Sequence, residues 1–172
     1  MKVFRVALCI AVIGFISILF SCQKSKEVNE NIRVESKRIK INPHNIKALY
    51  HRGNGYLHKE NYKKAIKDFS KAIELDPEMV CAHLARGYAY LVIEEYEKAL
   101  SDLNLVYNSA KDDPVLFAVF TCRGYVYKKI GNYNKAIEEY RRAFKIDPQY
   151  VEIDIKKALA KALEKLEEDF SK

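Results

Sequence analysis

The chain has 172 residues, 49% of them apolar, and 30 Lys and Arg against 23 Asp and Glu leave a formal net charge of +7. That is enough apolar material for one modest core and too little chain for a large multidomain protein. Lys2 and Arg5 supply two of the seven positive charges, and the remaining +5 is too mild to favour a nucleic-acid partner.

The N-terminal segment reads as an export signal. Lys2 and Arg5 precede an apolar run of 15 residues from Val6 to Phe20, broken only by Gly14 and Ser17, and the polar stretch Gln23-Lys24-Ser25-Lys26 comes after Cys22. A charged start, a short apolar core and a small residue at the break are the marks of such a signal. The run is shorter than the roughly 20 residues of a spanning helix, although Val3 to Ser21 can just reach. Leu19-Phe20-Ser21-Cys22 resembles the lipobox of bacterial lipoproteins, with Phe20 bulkier than the residue usual there. The resemblance implies that residues 1–22 are removed up to Cys22, which is acylated and becomes the new N-terminus. Gln23, in place of the Asp that retains many lipoproteins in the inner membrane, points to the periplasmic side of the outer membrane. An uncleaved single-span anchor and a conventional cleaved signal are the other readings.

Residues 23–42 come next as a polar basic tether, in which Lys24, Lys26, Arg33, Lys37, Arg38 and Lys40 outnumber Glu27, Glu30 and Glu35. It reads as a solvated linker, or as a segment that touches anionic lipid heads. Ile32, Ile39 and Ile41, just before Asn42-Pro43, suggest a worn half-repeat that caps the N-terminal end of the domain.

From Asn45 to Gln149 the chain repeats itself. Tyr56, Tyr90 and Tyr127 stand 34 and 37 residues apart (90−56 and 127−90), and Arg52-Gly53 returns as Arg86-Gly87 and Arg123-Gly124. Tyr62, Tyr96 and Tyr133 keep the same steps, as do Ala65, Ala99 and Ala136. A period near 34 predicts a stacked helix–turn–helix unit. The repeats fall at about 46–79, 80–116 and 117–150, within a domain spanning 43–150. In the first, helical spacing predicts one helix over Asn45–Lys59 and a second over Tyr62–Leu75, which Asp76-Pro77 ends. Gly53 and Ala65 are small where the two helices cross, and Ala72 is small against the next repeat. The 37-residue step predicts about 4.5 Å of added helix in the second repeat, near Asp113-Pro114, and a changed angle to the third. Residues 151–172 carry Ile155, Leu159, Leu163 and Leu166 on one face, an amphipathic helix that caps the last repeat or pairs with another chain.

Nothing in the pattern carries catalysis. His44, His51 and His58 are spaced by seven, about 10.5 Å along a helix, too far for one metal ion. Carboxylates are expected on solvent faces without a paired acid, and Gly53, Gly87 and Gly131 are packing or turn residues. No metal and no cofactor are expected. Cys81 and Cys122 read as small buried hydrophobes, with a disulfide between them as the alternative.

RGNGY with NYKKAIKDFSKAIELDP, RGYAY with EYEKALSDLNLV, and RGYVY with NYNKAIEEYRRAFKIDP resemble the tetratricopeptide repeat family over about 105 of the 172 residues. The Trp or Tyr that often opens the first helix is replaced by Leu49, His83 or Phe120. The resemblance implies an all-α fold, an α-α superhelix of three repeats plus a C-terminal capping helix. It also implies a concave groove along the first helices, binding a protein or peptide. Carried over position by position, that groove consists of Lys47, Tyr50, Asn54, Leu57 and His58, then Leu84, Tyr88, Leu91 and Val92, then Thr121, Tyr125, Lys128 and Lys129. Of the family's clamp for a C-terminal carboxylate only Asn54 remains, with Tyr50, Ala85, Ala118 and Cys122 at the other places. The implied ligand is therefore an amphipathic segment with an acidic end. The expected protein is a non-catalytic scaffold in the bacterial envelope, anchored to membrane through Cys22, with no nucleic acid as partner. A membrane-spanning adaptor and a nucleic-acid-binding repeat are the rivals.

Overall fold

The computed structural model describes residues 24–148 and residue 160. The signal, Cys22 and almost all of the C-terminal helix predicted for 151–172 lie outside the described residues. Helix α1 covers residues 24–41, and after it come α2 (Ile46–His58), α3 (Tyr62–Leu75), α4 (Val80–Val92), α5 (Tyr96–Ser109), α6 (Asp113–Lys129) and α7 (Tyr133–Ile146). No strand occurs among the described residues. Each helix from α2 onward packs on the next, and α2, α4 and α6 also touch one another, so the first helices share one face of an α-helical solenoid.

Local chemistry explains the breaks. Asn45, Asn61 and Asn132 accept hydrogen bonds from the backbone N–H of Ala48, Lys64 and Lys135 at 3.0, 3.3 and 3.2 Å, capping α2, α3 and α7. Glu95 precedes α5 and gives no such bond. Within each repeat the turn between helices needs one residue in the left-handed region: Glu60 at φ 56°, Glu94 at φ 64° and Gly131 at φ 78°. Only the third repeat uses the residue that tolerates this without strain.

The core obeys the repeat. Ala65, Ala99, Ala136, Ala72 and Ala143 are fully buried. A Cβ on Gly53 would stand 2.6 Å from the Phe69 ring, and one on Gly124 would stand 2.6 Å from the Tyr140 ring. The close crossing is thus glycine against an aromatic ring. Gly87 is looser, with Leu103 in place of the ring and its nearest contacts at 3.3 Å.

Three expectations need correction. Residues 23–42 are no tether, because 24–41 form α1 and that helix is docked. Ile32 lies against Gly55, Ile39 packs on the Leu49, Ala72 and Ala82 cluster, and Ser36 Oγ accepts from Arg52 Nη1 at 3.4 Å. Its lysines, with Glu27 and Glu30, are on the outer side of a helix whose other side is buried, Glu35 included, although Ile41 points out, 86% exposed. Secondly, the inserted residues do not lengthen the second repeat's own helix, since α3, α5 and α7 each have 14 residues. They extend the front of α6, which has 17 residues against 13 in α2 and α4, because Pro114 takes a first-turn position where a missing N–H costs nothing. Thirdly, the two cysteines are free and only Cys122 is in the core, while Cys81 is exposed. Burial pushes the Cys122 thiol up to about 11, leaving it an unreactive hydrophobe.

Candidate functional site

The face made by α2, α4 and α6 is where the groove was expected. Lys47, His58, Tyr88, Tyr125 and Lys129 are exposed on it, and Tyr50, Asn54, Leu57, Leu84, Val92, Thr121 and Lys128 are half-buried. Leu91 does not belong there. It is 8% exposed and packs with Ala99 and Val126, because α4, α5 and α6 converge on it. Thr121 is spent locally: its hydroxyl donates to the carbonyls of Phe117 and Ala118 at 2.9 and 3.0 Å, within its own helix.

On this face tyrosines of neighbouring repeats lie within electrostatic reach of one another. Tyr62 opens α3 and is close enough to Tyr88 on α4 to raise its own hydroxyl pKa, after partial burial and Glu60. Tyr96 opens α5 and stands in the same relation to Tyr125 on α6, where partial burial and then Glu94 raise its pKa. Lys129 closes this second group. Tyr125 beside it, then Tyr96 and Glu94, hold its ammonium proton more tightly than usual. The Lys128 and Lys129 ammonium groups lie 5.0 and 5.5 Å from the Tyr125 ring centre, within cation–π range. The result is a strip of aromatic surface ending in a cationic corner. Tyr88 and Tyr125 are 46% and 36% exposed, so both rings remain open to a ligand.

In the first repeat α1 completes the pattern. Val28 precedes Tyr62 by one period (62−28 = 34) and faces Asn54 as Tyr62 faces Tyr88. With Lys24, Glu27, Asn31, His51 and His58 these residues line a cavity of about 310 Å³. Among the described residues no group of three or more His, Cys, Asp or Glu is placed to hold a metal ion.

Sequence reasoning placed the carboxylates on solvent faces, and this is wrong for four of them: Glu35, which bonds Arg38 at 2.9 Å, and one in each repeat. Asp68, Asp102 and Glu139 are buried, each joined to the arginine 16 residues before it on the facing helix of its repeat. Arg52 grips Asp68 with two bonds of 2.7 Å, and Arg86 grips Asp102 with two of 2.8 Å. Arg86 also reaches back to Ser70 Oγ at 3.0 Å, as Arg52 does to Ser36. His83, standing where the family usually has an aromatic, is buried with Nδ1 3.0 Å from Asp102 and Nε2 3.1 Å from the Pro77 carbonyl. The carbonyl can only accept, so Nε2 is the donor there. The signal was present in the sequence: an arginine and an acid recur together at both steps of the repeat. These groups are spent on each other inside the solenoid and offer no acid or base to a substrate.

The same geometry appears in known proteins. Residues 46–79 match a model of the tetratricopeptide repeat, and residues 124–166 match a second tetratricopeptide repeat model. Tetratricopeptide repeats are therefore present at two places in this chain. MamA 41-end from Desulfovibrio magneticus RS-1 superposes with a TM-score of 0.67 at 22% identity, over 88% of this chain and 90% of its own. The first such domain of human RPAP3 gives 0.64 at 22% identity, over 73% and 98%. The first domain of Spaghetti (RPAP3), bound to the HSP90 peptide SRMEEVD, gives 0.62 at 22% identity, over 69% and 92%. At these identities the likeness establishes the fold, a tetratricopeptide solenoid of a kind typical of protein–protein interaction scaffolds. No match was found among curated proteins.

Proposed function

We propose that the chain is a non-catalytic scaffold that holds an extended or amphipathic protein segment along α2, α4 and α6. The observation that carries this reading is the pair of exposed tyrosines Tyr88 and Tyr125 on neighbouring first helices, with the Lys128 and Lys129 ammonium groups 5.0 and 5.5 Å from the Tyr125 ring centre. Rigid aromatic rings give a large contact area at little entropic cost, and a lysine beside them orients an acidic group of the ligand. The RPAP3 domain's peptide complex supports the ligand class. It does not carry over in detail, because this chain has Tyr50, Ala85, Ala118 and Cys122 where a carboxylate clamp would be.

The scaffold is further proposed to be a lipoprotein of the bacterial envelope, held through acylated Cys22 at the periplasmic side of the outer membrane. No helix among the described residues is long and apolar enough to cross a membrane. The support for an anchor is the charged start, apolar run and Leu19-Phe20-Ser21-Cys22 of the sequence.

A photo-crosslinking residue at Tyr88 in intact cells is expected to trap one partner, and the adduct should vanish in Tyr125→Ala. Adducts only from the convex helices would sink the groove. Metabolic labelling with a fatty acid tests the anchor, which fails if Cys22→Ala keeps the label.

A further inference from the structure

The contact of α1 with α2 lacks what its two counterparts have. Where α3 meets α4 the register places Tyr62 and Tyr88, and where α5 meets α6 it places Tyr96 and Tyr125. One period earlier the same two places hold Val28 and Asn54 (62−28 and 88−54 are both 34), half-buried and much smaller than tyrosine. The space that two rings take up elsewhere is therefore open, and it is the cavity of about 310 Å³ described above. Buried Gly55 and half-buried Val28 give it an apolar wall, and exposed Asn31, His51 and His58 stand at its rim.

The side chains of Asn31, His51, Asn54 and His58 are tied to no hydrogen-bond partner among the described residues. An amide or a neutral imidazole offers both a donor and an acceptor. The full charges among the lining residues cancel, Lys24 against Glu27. A carboxylate can only accept, and it would meet Glu27 as a like charge. A phenol hydroxyl both donates and accepts. An apolar wall under a neutral polar rim thus fits the ring of a tyrosine, whose body packs and whose tip needs a partner. Asn54 and His58 also belong to the face of α2, α4 and α6, so the cavity adjoins the groove at its first-repeat end.

We propose that this cavity is an anchor pocket for a tyrosine side chain of the partner segment, completing the row of rings that the chain itself supplies at the other two contacts. This rests on the groove reading proposed above and names what its first-repeat end holds. The probe is p-cresol, the side chain of tyrosine as a free molecule, titrated into the isotope-labelled full chain and followed by NMR. Shifts are expected at Asn31, His51, Asn54 and His58, and toluene should bind at least about threefold more weakly for want of the hydroxyl. Val28→Tyr and Asn54→Tyr each return a ring to the place it holds elsewhere. Both are expected to weaken cresol at least about tenfold with the rest of the spectrum kept, and Val28→Tyr to lower the Tyr88 crosslink in cells at least about fivefold. Three results overturn the pocket and leave the groove standing: cresol bound equally by the parent and both variants, acetate moving the four residues when cresol does not, or a Tyr88 adduct indifferent to Val28→Tyr. Absence of any Tyr88 adduct in the parent defeats the groove reading instead.

Discussion

The two junctions between repeats use the same residues to different effect. At the first, Arg86 is fully engaged: a fork on Asp102 and a bond to Ser70 from the preceding repeat, with His83 Nδ1 against Oδ1 of the same carboxylate. At the second, Arg123 makes a single 2.9 Å bond to Glu139. Asn104 takes the place of Ser70 one period on (104−70 = 34) and is exposed. Arg123 Nε and Glu139 Oε2 find no hydrogen-bond partner among the described residues, and the guanidinium lies 5.2 Å from the Tyr107 ring centre. An arginine–acid pair inside a repeat is therefore a socket. The last helix of the repeat before it decides whether the socket is filled, and so how firmly two repeats are joined.

Breaking the pairs should separate the junctions most. Asp102→Ala strands Arg86 and His83 in the interior and is expected to lower the unfolding free energy in urea by roughly 3–5 kcal/mol. Glu139→Ala, which abandons a pair already half made, is expected to cost roughly 1–3 kcal/mol. Equal losses would show that Ser70 and His83 add nothing. Overpacking comes next. Gly124→Ala drives a methyl into the Tyr140 ring and should cost roughly 1–3 kcal/mol. Gly87→Ala, whose neighbours yield by a few tenths of an ångström, should stay within about 0.5 kcal/mol of the parent, since alanine's better helix propensity offsets the contact.

Smaller again is the strained turn. Glu94→Gly should raise stability by about 0.5–1 kcal/mol by removing a left-handed non-glycine residue, whereas Gly131→Glu should lose a similar amount. Thermal melts of both variants would check the pair. The smallest effect is a pH slope. Burial raises the Glu139 carboxyl above its ordinary 4.5, against the pull of Arg123 and Arg142. The native state then binds the proton more tightly than the unfolded chain. That stabilisation is fully present below 4.5 and is lost as pH rises through the native value. Urea unfolding of the parent and of Glu139→Gln from acid to neutral pH should give a difference that declines across that window, and a flat difference would contradict it.

Much of the fold was legible because a repeat states its own rules. Gly53, Ala65, Ala72 and their counterparts mark where backbones approach, and Pro77 marks where a helix must end. The 34-residue register also reaches α1, through Ile32 with Ile66, Ser36 with Ser70 and Pro43 with Pro77. The charges between those positions made the segment look like a solvated linker, although a helix one side of which is buried needs only a few apolar residues. The groove was partly legible. Tyr88 and Tyr125 stand where the register put them, but Leu91, one residue from half-buried Val92, turned inward. A position count gives the angle of a side chain about its own helix and not the depth to which the neighbouring helices cover it.

Helix number, order and stacking were thus set along the chain, because a hydrophobic period and its breaks act within a few residues. Which carboxylates are buried, which tyrosines stay open, and the docking of α1 depend on distances between helices. Side chains 16 to 30 residues apart, such as Arg52 with Asp68 and Asn29 with Lys59, meet only once the solenoid has closed around them.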